Sequence, residues 1–187
     1  MADKIEEIFI KAGAVLKGHF LLTSGLHSPV YWEKFKILQY PRYTEQLCRM
    51  IADHFRDQKV EVVAGPTTGG IILAYEVAKQ LNVRSIYAEK EGNVRIFRRS
   101  LALKPSERVL VVDDILTTGG SAQQVVDAVN KLDGKVVGIG VLVDRSETSI
   151  DFGSPFFSCL RSQTIVYQPD VCPLCAQKLP LVKPGGG

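Results

Sequence analysis

VVDDILTTGGSAQQVV, residues 111–126, is the stretch that decides the fold. It begins as an apolar, β-branched run, continues through the adjacent acids Asp113 and Asp114, and passes two threonines and two glycines before helical spacing begins. A short β-branched run is typical of a buried strand, and paired glycines are typical of a tight loop. The stretch therefore predicts a strand, a loop and a helix, with two carboxylates at the end of the strand.

The same alternation continues on both sides of this stretch. Runs typical of short strands alternate with runs of helical spacing: VEVVAG (60–65), GIILAYEVAKQLN (70–82), RSIYAEK (84–90), ERVLVVDD (107–114), SAQQVVDAVNKLDG (121–134) and KVVGIGVLVDR (135–145). This order predicts an α/β fold, with a central, mostly parallel sheet flanked by helices. VRIFRR (94–99) and the SLALK that follows it predict a hairpin or a flexible arm.

The N-terminal third has a different pattern. Residues 3–16 have helical spacing, HFLLTSGLHSPVYWEKFKIL (19–38) predicts two short strands around a turn, and PRYTEQLCRMIADHFRD (41–57) predicts a helix with proline near its start. We expect one domain over residues 1–187, with its core at 41–160. Residues 1–40 and the C-terminal tail are expected to form a small accessory hood.

Composition excludes several classes of function. The chain has 187 residues, 45% of them hydrophobic and 23% charged, and a formal net charge of +3. That charge is too small to indicate a general nucleic-acid binder. No apolar run approaches the ~20 residues of a transmembrane helix. The amphipathic start lacks the basic and apolar regions of a signal peptide, so we expect a cytoplasmic protein that binds neither membrane nor nucleic acid.

The loop after the acids has the features of a phosphate site. Gly119 and Gly120 allow a left-handed backbone and remove side chains from the approach path. The free N–H groups at the start of the following helix attract an anion, and Thr117, Thr118 and Ser121 add hydroxyl donors. Neither GxxxxGK[ST] nor GxGxxG is present, so a monophosphate is favoured over a nucleoside triphosphate or a dinucleotide.

The paired acids next to such a loop indicate which chemical group of a ligand would lie between the carboxylates and a phosphate. Asp113 and Asp114 accept hydrogen bonds when ionised, so a ribose diol or a magnesium ion with its waters would suit them. The alternative is a helix-entry turn that happens to carry acids. A second run, AGPTTGG (64–70), also follows a strand and opens a helix. Two such loops suggest a ligand with phosphates at both ends.

Four cysteines are present, and they do not form the disulfide framework of a small secreted domain. CPLC, which contains Cys172 and Cys175, has the spacing of half a zinc site. No other half is evident in the sequence, because the three histidines show no paired spacing. The sequence therefore favours a pair of reduced thiols in a C-terminal turn, and it predicts no direct protein ligand for a metal.

Three segments carry a resemblance to a known family. VLVVDDILTTGGSA resembles the phosphoribosyl pyrophosphate (PRPP) motif of type I phosphoribosyltransferases. GHFLLTSGLHSPVYWEKF (18–35) is similar to the N-terminal segment of orotate phosphoribosyltransferases, and VLVDRSE (141–147) resembles their late strand. The segments occur in the family's order and cover nearly the whole chain. The resemblance implies a type I phosphoribosyltransferase fold.

The resemblance also implies a reaction. Orotate and PRPP would give orotidine 5′-monophosphate and pyrophosphate with magnesium, a step of UMP biosynthesis. Asp113 and Asp114 would hold the ribose hydroxyls, Thr68 and Gly69 would lie in a pyrophosphate loop, and Arg145 would contact orotate together with Thr117. The 5′-phosphate would be held by Ile115, Leu116, Thr117, Thr118, Gly119, Gly120 and Ser121.

The family's mobile cationic loop matches AEKEGNVRIFRR (88–99) and reaches the partner subunit's site in a homodimer. Lys90 fits a family lysine with a catalytic role. The further lysine and histidine are not evident here, so Arg95, Arg98 or Arg99 would replace them, and Arg98 is assigned to PRPP binding.

Two further positions depart from the family pattern. His27 stands where a lysine often contacts substrate, and Lys34 would take that role. Gly69 stands where the pyrophosphate loop often has a lysine.

Two other hypotheses remain open at this point. One is a phosphoribosyltransferase for another nucleobase, against which SGLHSPVYWEK (24–34) argues. The other is a regulator that binds PRPP without catalysis. Such regulators usually carry an added nucleic-acid-binding surface, and no winged-helix segment precedes the first predicted helix.

Overall fold

The computed structural model describes residues 2–22, 24–98, 100–162 and 165–184. The chain divides into a smaller unit, residues 1–37 with 163–187, and a larger unit, residues 38–162. Across the described ranges, every helix is too short or too polar to span a bilayer. The elements in chain order are α1 (Ala2–Lys11), β1 (Val15–Leu21), β2 (His27–Trp32), α2 (Lys34–Leu38), α3 (Pro41–Phe55), β3 (Val62–Pro66), α4 (Gly69–Leu81), β4 (Arg84–Glu91), β5 (Val94–Phe97), β6 (Arg108–Leu116), α5 (Gly120–Asn130), β7 (Lys135–Asp144), β8 (Phe156–Arg161) and α6 (Pro173–Ala176).

The larger unit contains a six-stranded sheet in the order β5-β4-β3-β6-β7-β8. All neighbouring pairs are parallel except β4 and β5, which form an antiparallel hairpin at the edge. The predicted parallel sheet is therefore confirmed. The hairpin expected between VRIFRR and the SLALK that follows it was wrong, because β5 pairs with the preceding strand β4 and the described residues 100–104 form no strand. The chain runs from β3 outward to β4 and then returns to β6 on the other side of β3. Ligands of such sheets bind at the carboxyl ends of the strands where the order reverses.

Helices cover both faces of this sheet. On one face, Val125 and Val129 of α5 belong to a buried cluster with Val109 and Val111 of β6. On the other face, α3 lies so close to β7 that a Cβ added at Gly140 would be 2.5 Å from a methyl group of Ile51. Burying an aliphatic side chain of this size stabilises the fold by about 1.5–3 kcal/mol. The sheet is a rigid base for the loops at its strand ends.

The smaller unit is built on the β1–β2 hairpin. The strands pair antiparallel, as predicted, and Phe9 of α1 packs edge-to-face on Trp32 at 5.3 Å between ring centroids. The C-terminal segment adds to the hairpin at two points. His27 and Tyr167 exchange backbone hydrogen bonds, and Val182 N–H donates to the His19 carbonyl at 2.8 Å. The two ends of the chain thus fold together.

Candidate active site

The two acids lie buried near the carboxyl end of β6. Asp113 is 6% exposed and Asp114 is 3% exposed. Oδ1 of Asp113 accepts from the Asp114 N–H at 2.8 Å, and Oδ1 of Asp114 accepts from the Ile115 N–H at 2.7 Å. These local bonds fix the orientation of both carboxylates before any ligand binds. Preorganisation of this kind lowers the entropy cost of binding.

The β6 loop, residues 115–121, forms a pocket with Asp113. This open pocket is lined by Asp113 and residues 115–122. Gly119 has φ of +77°, and a Cβ there would lie 2.9 Å from Cδ1 of Ile150, so this position requires glycine in two ways. Because α5 begins at Gly120, its unpaired N–H groups open toward the loop. The geometry suits an anion.

The β3 loop, residues 66–69, lies against the acids. β3 ends at Pro66, the Thr67–Thr68 peptide is cis, and α4 begins at Gly69. A Cβ at Gly69 would collide with the carboxylate of Asp114. A lysine could therefore not replace Gly69 unless that carboxylate moved. This contact gives a physical reason for the glycine that departs from the family pattern.

Arg95 of β5 connects the two loops. Its guanidinium donates to Oγ1 of Thr67 at 3.2 Å and to Oγ of Ser121 at 2.9 Å. Burial lowers the pKa of Arg95 and the negative charge of Asp113 opposes that shift. An arginine nevertheless stays protonated in proteins. A fixed positive charge thus lies between the β3 loop and the β6 loop.

The carboxyl end of β7 brings a further arginine to the same edge of the sheet. The Arg145 N–H donates to the Leu116 carbonyl at 2.8 Å, so Arg145 follows directly beside the β6 loop. The buried Asp144 before it accepts from both the N–H and the hydroxyl of Ser146, at 2.9 and 2.6 Å. This turn fixes the backbone around Arg145. Asp144 and Ser146 could not be identified from the sequence, because a single Asp-x-Ser carries no specific signal.

Comparisons with known proteins agree with this geometry. The family model described as phosphoribosyl transferase domain matches residues 36–174, which include both strand-end loops. The orotate phosphoribosyltransferase of Caldanaerobacter subterraneus is 50% identical over 183 residues, which are 98% of this chain and 96% of that protein. The chain belongs to the orotate phosphoribosyltransferase family. The resemblance and the fold class inferred from the sequence are confirmed.

Two further proteins illustrate how similar this phosphoribosyltransferase is to its relatives. The orotate phosphoribosyltransferase of Desulforamulus reducens is 49% identical over 183 residues, 98% of this chain and 96% of its own. A crystal structure of the orotate phosphoribosyltransferase from Aeropyrum pernix matches with a TM-score of 0.74 at 27% identity. That match covers 84% of this chain and 93% of the other. The likeness therefore extends through both the sequence and the backbone.

The hairpin of β4 and β5 is the cationic hairpin of this phosphoribosyltransferase, and its charged side chains lie on different sides. Lys90 is exposed and pairs with Arg95 across β4 and β5, so the two side chains share one face of the hairpin. Arg98 instead forms an exposed ion pair with Glu91. Arg99 lies outside the described residues. Of the three candidate arginines, Arg95 is the one whose contacts to both strand-end loops are seen.

The predicted residues of the smaller unit are placed by its own elements. Lys34 is the first residue of α2, with Nζ 5.5 Å from the ring centroid of Phe35. His27 is buried, and its Nδ1 lies 2.9 Å from Nε2 of His19. Cys172 and Cys175 lie beside these rings. The expectation that CPLC has no second half was wrong, because the hairpin brings two histidines that are distant in sequence to the two cysteines.

Proposed function

We propose that this protein transfers the 5-phosphoribosyl group of PRPP to orotate, giving orotidine 5′-monophosphate and pyrophosphate, a step of UMP biosynthesis. The new bond joins C1′ to a ring nitrogen of orotate, which gives up its proton to solvent. The C1′–oxygen bond breaks, and its electron pair leaves with pyrophosphate. The observation that carries the proposal is the pair of buried, oriented acids beside the β6 loop, at the point where the strand order reverses. The relatives named orotate phosphoribosyltransferases support it.

PRPP is proposed to bind with its ribose between the acids and its 5′-phosphate in the β6 loop. Asp113 and Asp114 would accept hydrogen bonds from the 2′- and 3′-hydroxyls. Thr117, Thr118 and Ser121 would donate to the phosphate together with the N–H groups at the start of α5. The pocket lined by Asp113 and residues 115–122 supports this orientation.

The pyrophosphate end of PRPP is proposed to lie at the β3 loop. Thr68 and Gly69 would offer backbone donors, while Arg95 and Lys90 would supply positive charge as pyrophosphate leaves. The contact of Arg95 with Thr67 supports this placement. Charge that is already positioned where negative charge develops lowers the barrier without reorganisation. Arg98 was also predicted to contact PRPP; because its partner in this structure is Glu91, we propose Arg95 as the main arginine contact of PRPP and Arg98 as a minor one.

The donor set of the site fits magnesium, which prefers hard oxygen ligands and keeps several of its waters. Asp113 and Asp114 offer carboxylate oxygens, and Thr117 a hydroxyl, and we propose that they hold the ion through PRPP and water. When bound, magnesium would neutralise charge on the pyrophosphate group.

Orotate recognition is assigned to Arg145, Thr117 and Lys34. A guanidinium makes two parallel hydrogen bonds with a carboxylate, which suits Arg145 to the orotate carboxyl group. The turn formed by Asp144 and Ser146 would support that arginine. His27 is a weaker candidate than Lys34, because it is buried against His19. The role of residues 1–40 and the tail as a hood stays a prediction.

A homodimer that shares its cationic hairpin is proposed with this function. Lys90 is exposed on the edge hairpin, and Val94 at its turn is 40% exposed, which suits a segment that reaches a neighbour. Lys90→Ala should lower kcat about 10²-fold, the scale for one charge-stabilising group. Mixing this variant with Asp113→Asn should restore activity if Lys90 acts in the partner's site. An unrestored mixture places Lys90 in its own subunit's site.

The direct test of function follows the loss of orotate absorbance with PRPP and magnesium, omitting each component in turn. We expect turnover that needs all three and little pyrophosphate release with purine bases. Faster turnover of a purine would identify an enzyme for another base. Tight PRPP binding with no turnover of any base would identify a regulator.

A further inference from the structure

Four potential metal ligands meet in the smaller unit. We call His19, His27, Cys172 and Cys175 the His2Cys2 cluster; one ligand atom from each lies within 4.8 Å of the others. Three of these residues are buried, and only Cys175 is exposed. Buried imidazoles and thiols rarely converge at one point without a ligand or a full set of hydrogen bonds. None of the four is assigned a role in the proposed transfer reaction, in which Lys34 takes the orotate contact considered for His27.

The distances within the cluster resemble the edges of a tetrahedron around zinc. Bonds of about 2.0–2.1 Å to nitrogen and about 2.3 Å to sulfur place neighbouring N and S ligands about 3.5 Å apart, and two nitrogens about 3.3 Å apart. Three of the four N···S distances are 3.6 Å (Cys172 to His19), 3.7 Å (Cys175 to His19) and 3.4 Å (Cys175 to His27), and the fourth, Cys172 to His27, is no longer than 4.8 Å. The N···N distance is shorter, 2.9 Å. Small ring rotations would open it.

A backbone hydrogen bond prepares His19 as a ligand. Its Nδ1 lies 2.9 Å from the Leu179 carbonyl, and a carbonyl can only accept, so Nδ1 carries the proton. In the neutral ring Nε2 is then a bare lone pair, and Nε2 is the atom that faces the cluster. Metal-binding histidines are commonly fixed in this way by a carbonyl on the other ring nitrogen.

The fold supplies the four ligands from three distant segments. His19 lies on β1 and His27 begins β2, while Cys172 and Cys175 flank and occupy the short helix α6. The tail is hydrogen-bonded to the hairpin on both sides of these cysteines, through Tyr167 and through Val182. The cluster is therefore held in place by backbone pairing that does not depend on the ligands themselves.

We propose that the His2Cys2 cluster binds one Zn²⁺ ion, which fastens the C-terminal tail to the β1–β2 hairpin. Two thiolates and two imidazoles are a borderline-soft tetrahedral set, which selects zinc over magnesium or calcium. Binding releases the two thiol protons to solvent, with no change of oxidation state. All four positions are filled by protein, so the site is structural, with no open position for a substrate. A small unit with a limited core commonly needs such a staple.

The test measures metal in the full-length protein produced in zinc-supplemented medium. We expect about one zinc per chain by elemental analysis, because the part of the chain that the structure describes holds one such cluster. His19→Gln and Cys175→Ser should lose most of it. His54→Gln and Cys159→Ser are matched controls, because His54 is exposed on α3 and Cys159 is buried in the larger unit. Both controls should keep the zinc of the unaltered chain.

Cobalt replacement tests the geometry without any variant, should the altered chains fail to fold. Protein stripped by a chelator and refilled with Co²⁺ should show the intense visible bands of tetrahedral, thiolate-bound cobalt. Protein that contains no zinc and takes up neither added zinc nor cobalt would overturn the proposal. A disulfide between Cys172 and Cys175 in freshly isolated protein, or equal zinc in all variants, would overturn it as well.

Discussion

The β6 loop and the His2Cys2 cluster are both arranged like ligand sites, but the sequence reveals them to different degrees. The two acids and the β6 loop form one continuous run of sequence, residues 113–121, and the polar groups of this run come from a strand end and the helix that follows. The cluster joins residues up to 156 positions apart, and neither histidine spacing nor CPLC alone identifies it. Local chemistry can be inferred from sequence, whereas sites made by long-range pairing require the fold.

The largest expected effect concerns the continuous site. Asp113→Asn with Asp114→Asn should lower kcat/KM for PRPP by about 10³-fold or more, because two charge-assisted acceptors for the ribose are lost. The measurement is steady-state kinetics with varied PRPP. Asp57→Asn is the control, since Asp57 is exposed and the neighbouring Gln58 carbonyl contacts Arg108 at the amino end of β6. Unaltered kinetics of the double variant would remove the acids from ribose binding.

The next largest effect is expected at Arg95, which reaches the β6 loop from a different strand. Arg95→Ala should lower kcat/KM for PRPP by about 10–100-fold, the equivalent of about 1.5–3 kcal/mol for a hydrogen bond to a charged group. Arg98→Ala in the same hairpin removes an ion pair with Glu91 and should change kcat/KM for PRPP little. Steady-state kinetics of the two variants gives the comparison. The opposite ranking would restore Arg98 as the PRPP contact.

A third effect concerns the His2Cys2 cluster. Loss of its zinc should make the tail and the β1–β2 hairpin less ordered and should not act on the transfer reaction itself. Removing zinc with a chelator should speed amide hydrogen exchange in residues 165–184 and in β1 and β2. Exchange in β3, β6 and β7 should stay slow, because these strands are buried in the core of the larger unit. Mass spectrometry of exchanged peptides measures this. Equal protection with and without chelator would mean that no metal holds the tail.

The smallest effect lies at an ion pair that serves neither site. Burial raises the pKa of Glu107, but hydrogen bonds from Arg84, at 2.5 Å, and from the Lys104 N–H, at 2.8 Å, outweigh it and hold the pKa below its usual range. A glutamate whose pKa is lowered in the folded state stabilises the fold at pH values above its unfolded-state pKa. This stabilisation is lost as pH falls through the folded-state pKa. Glu107→Gln should therefore destabilise by about 1 kcal/mol or less at pH 7.

The pH dependence of the destabilisation caused by Glu107→Gln tests the direction of this pKa shift. The difference from the unaltered chain should shrink as pH falls below about 4, near the value of an unfolded glutamate. Denaturant unfolding at several pH values measures it. Glu45→Gln, which removes an exposed pair with Arg49 on α3, is the control. A difference that grows at low pH would contradict the assigned sign.

The fold could be predicted from sequence largely because its signals are local. The β-branched runs and helical spacing predicted the parallel sheet, and the turn between the two short strands of residues 19–38 predicted the first hairpin. Arg95 could not be separated from Arg98, because the hairpin register decides which side chain faces the loops. The sequence showed that Gly69 departs from the family pattern. The closeness of Asp114 to this position became evident only from the fold, which brings two strand ends together.

The most direct test of the account is a crystal structure of the protein with PRPP and magnesium. We predict the 5′-phosphate within residues 115–121 and the ribose hydroxyls on the carboxylates of Asp113 and Asp114. Pyrophosphate density should lie beside Arg95. Ordered PRPP bound elsewhere, with residues 115–121 making no contact to a phosphate, would contradict the central claim.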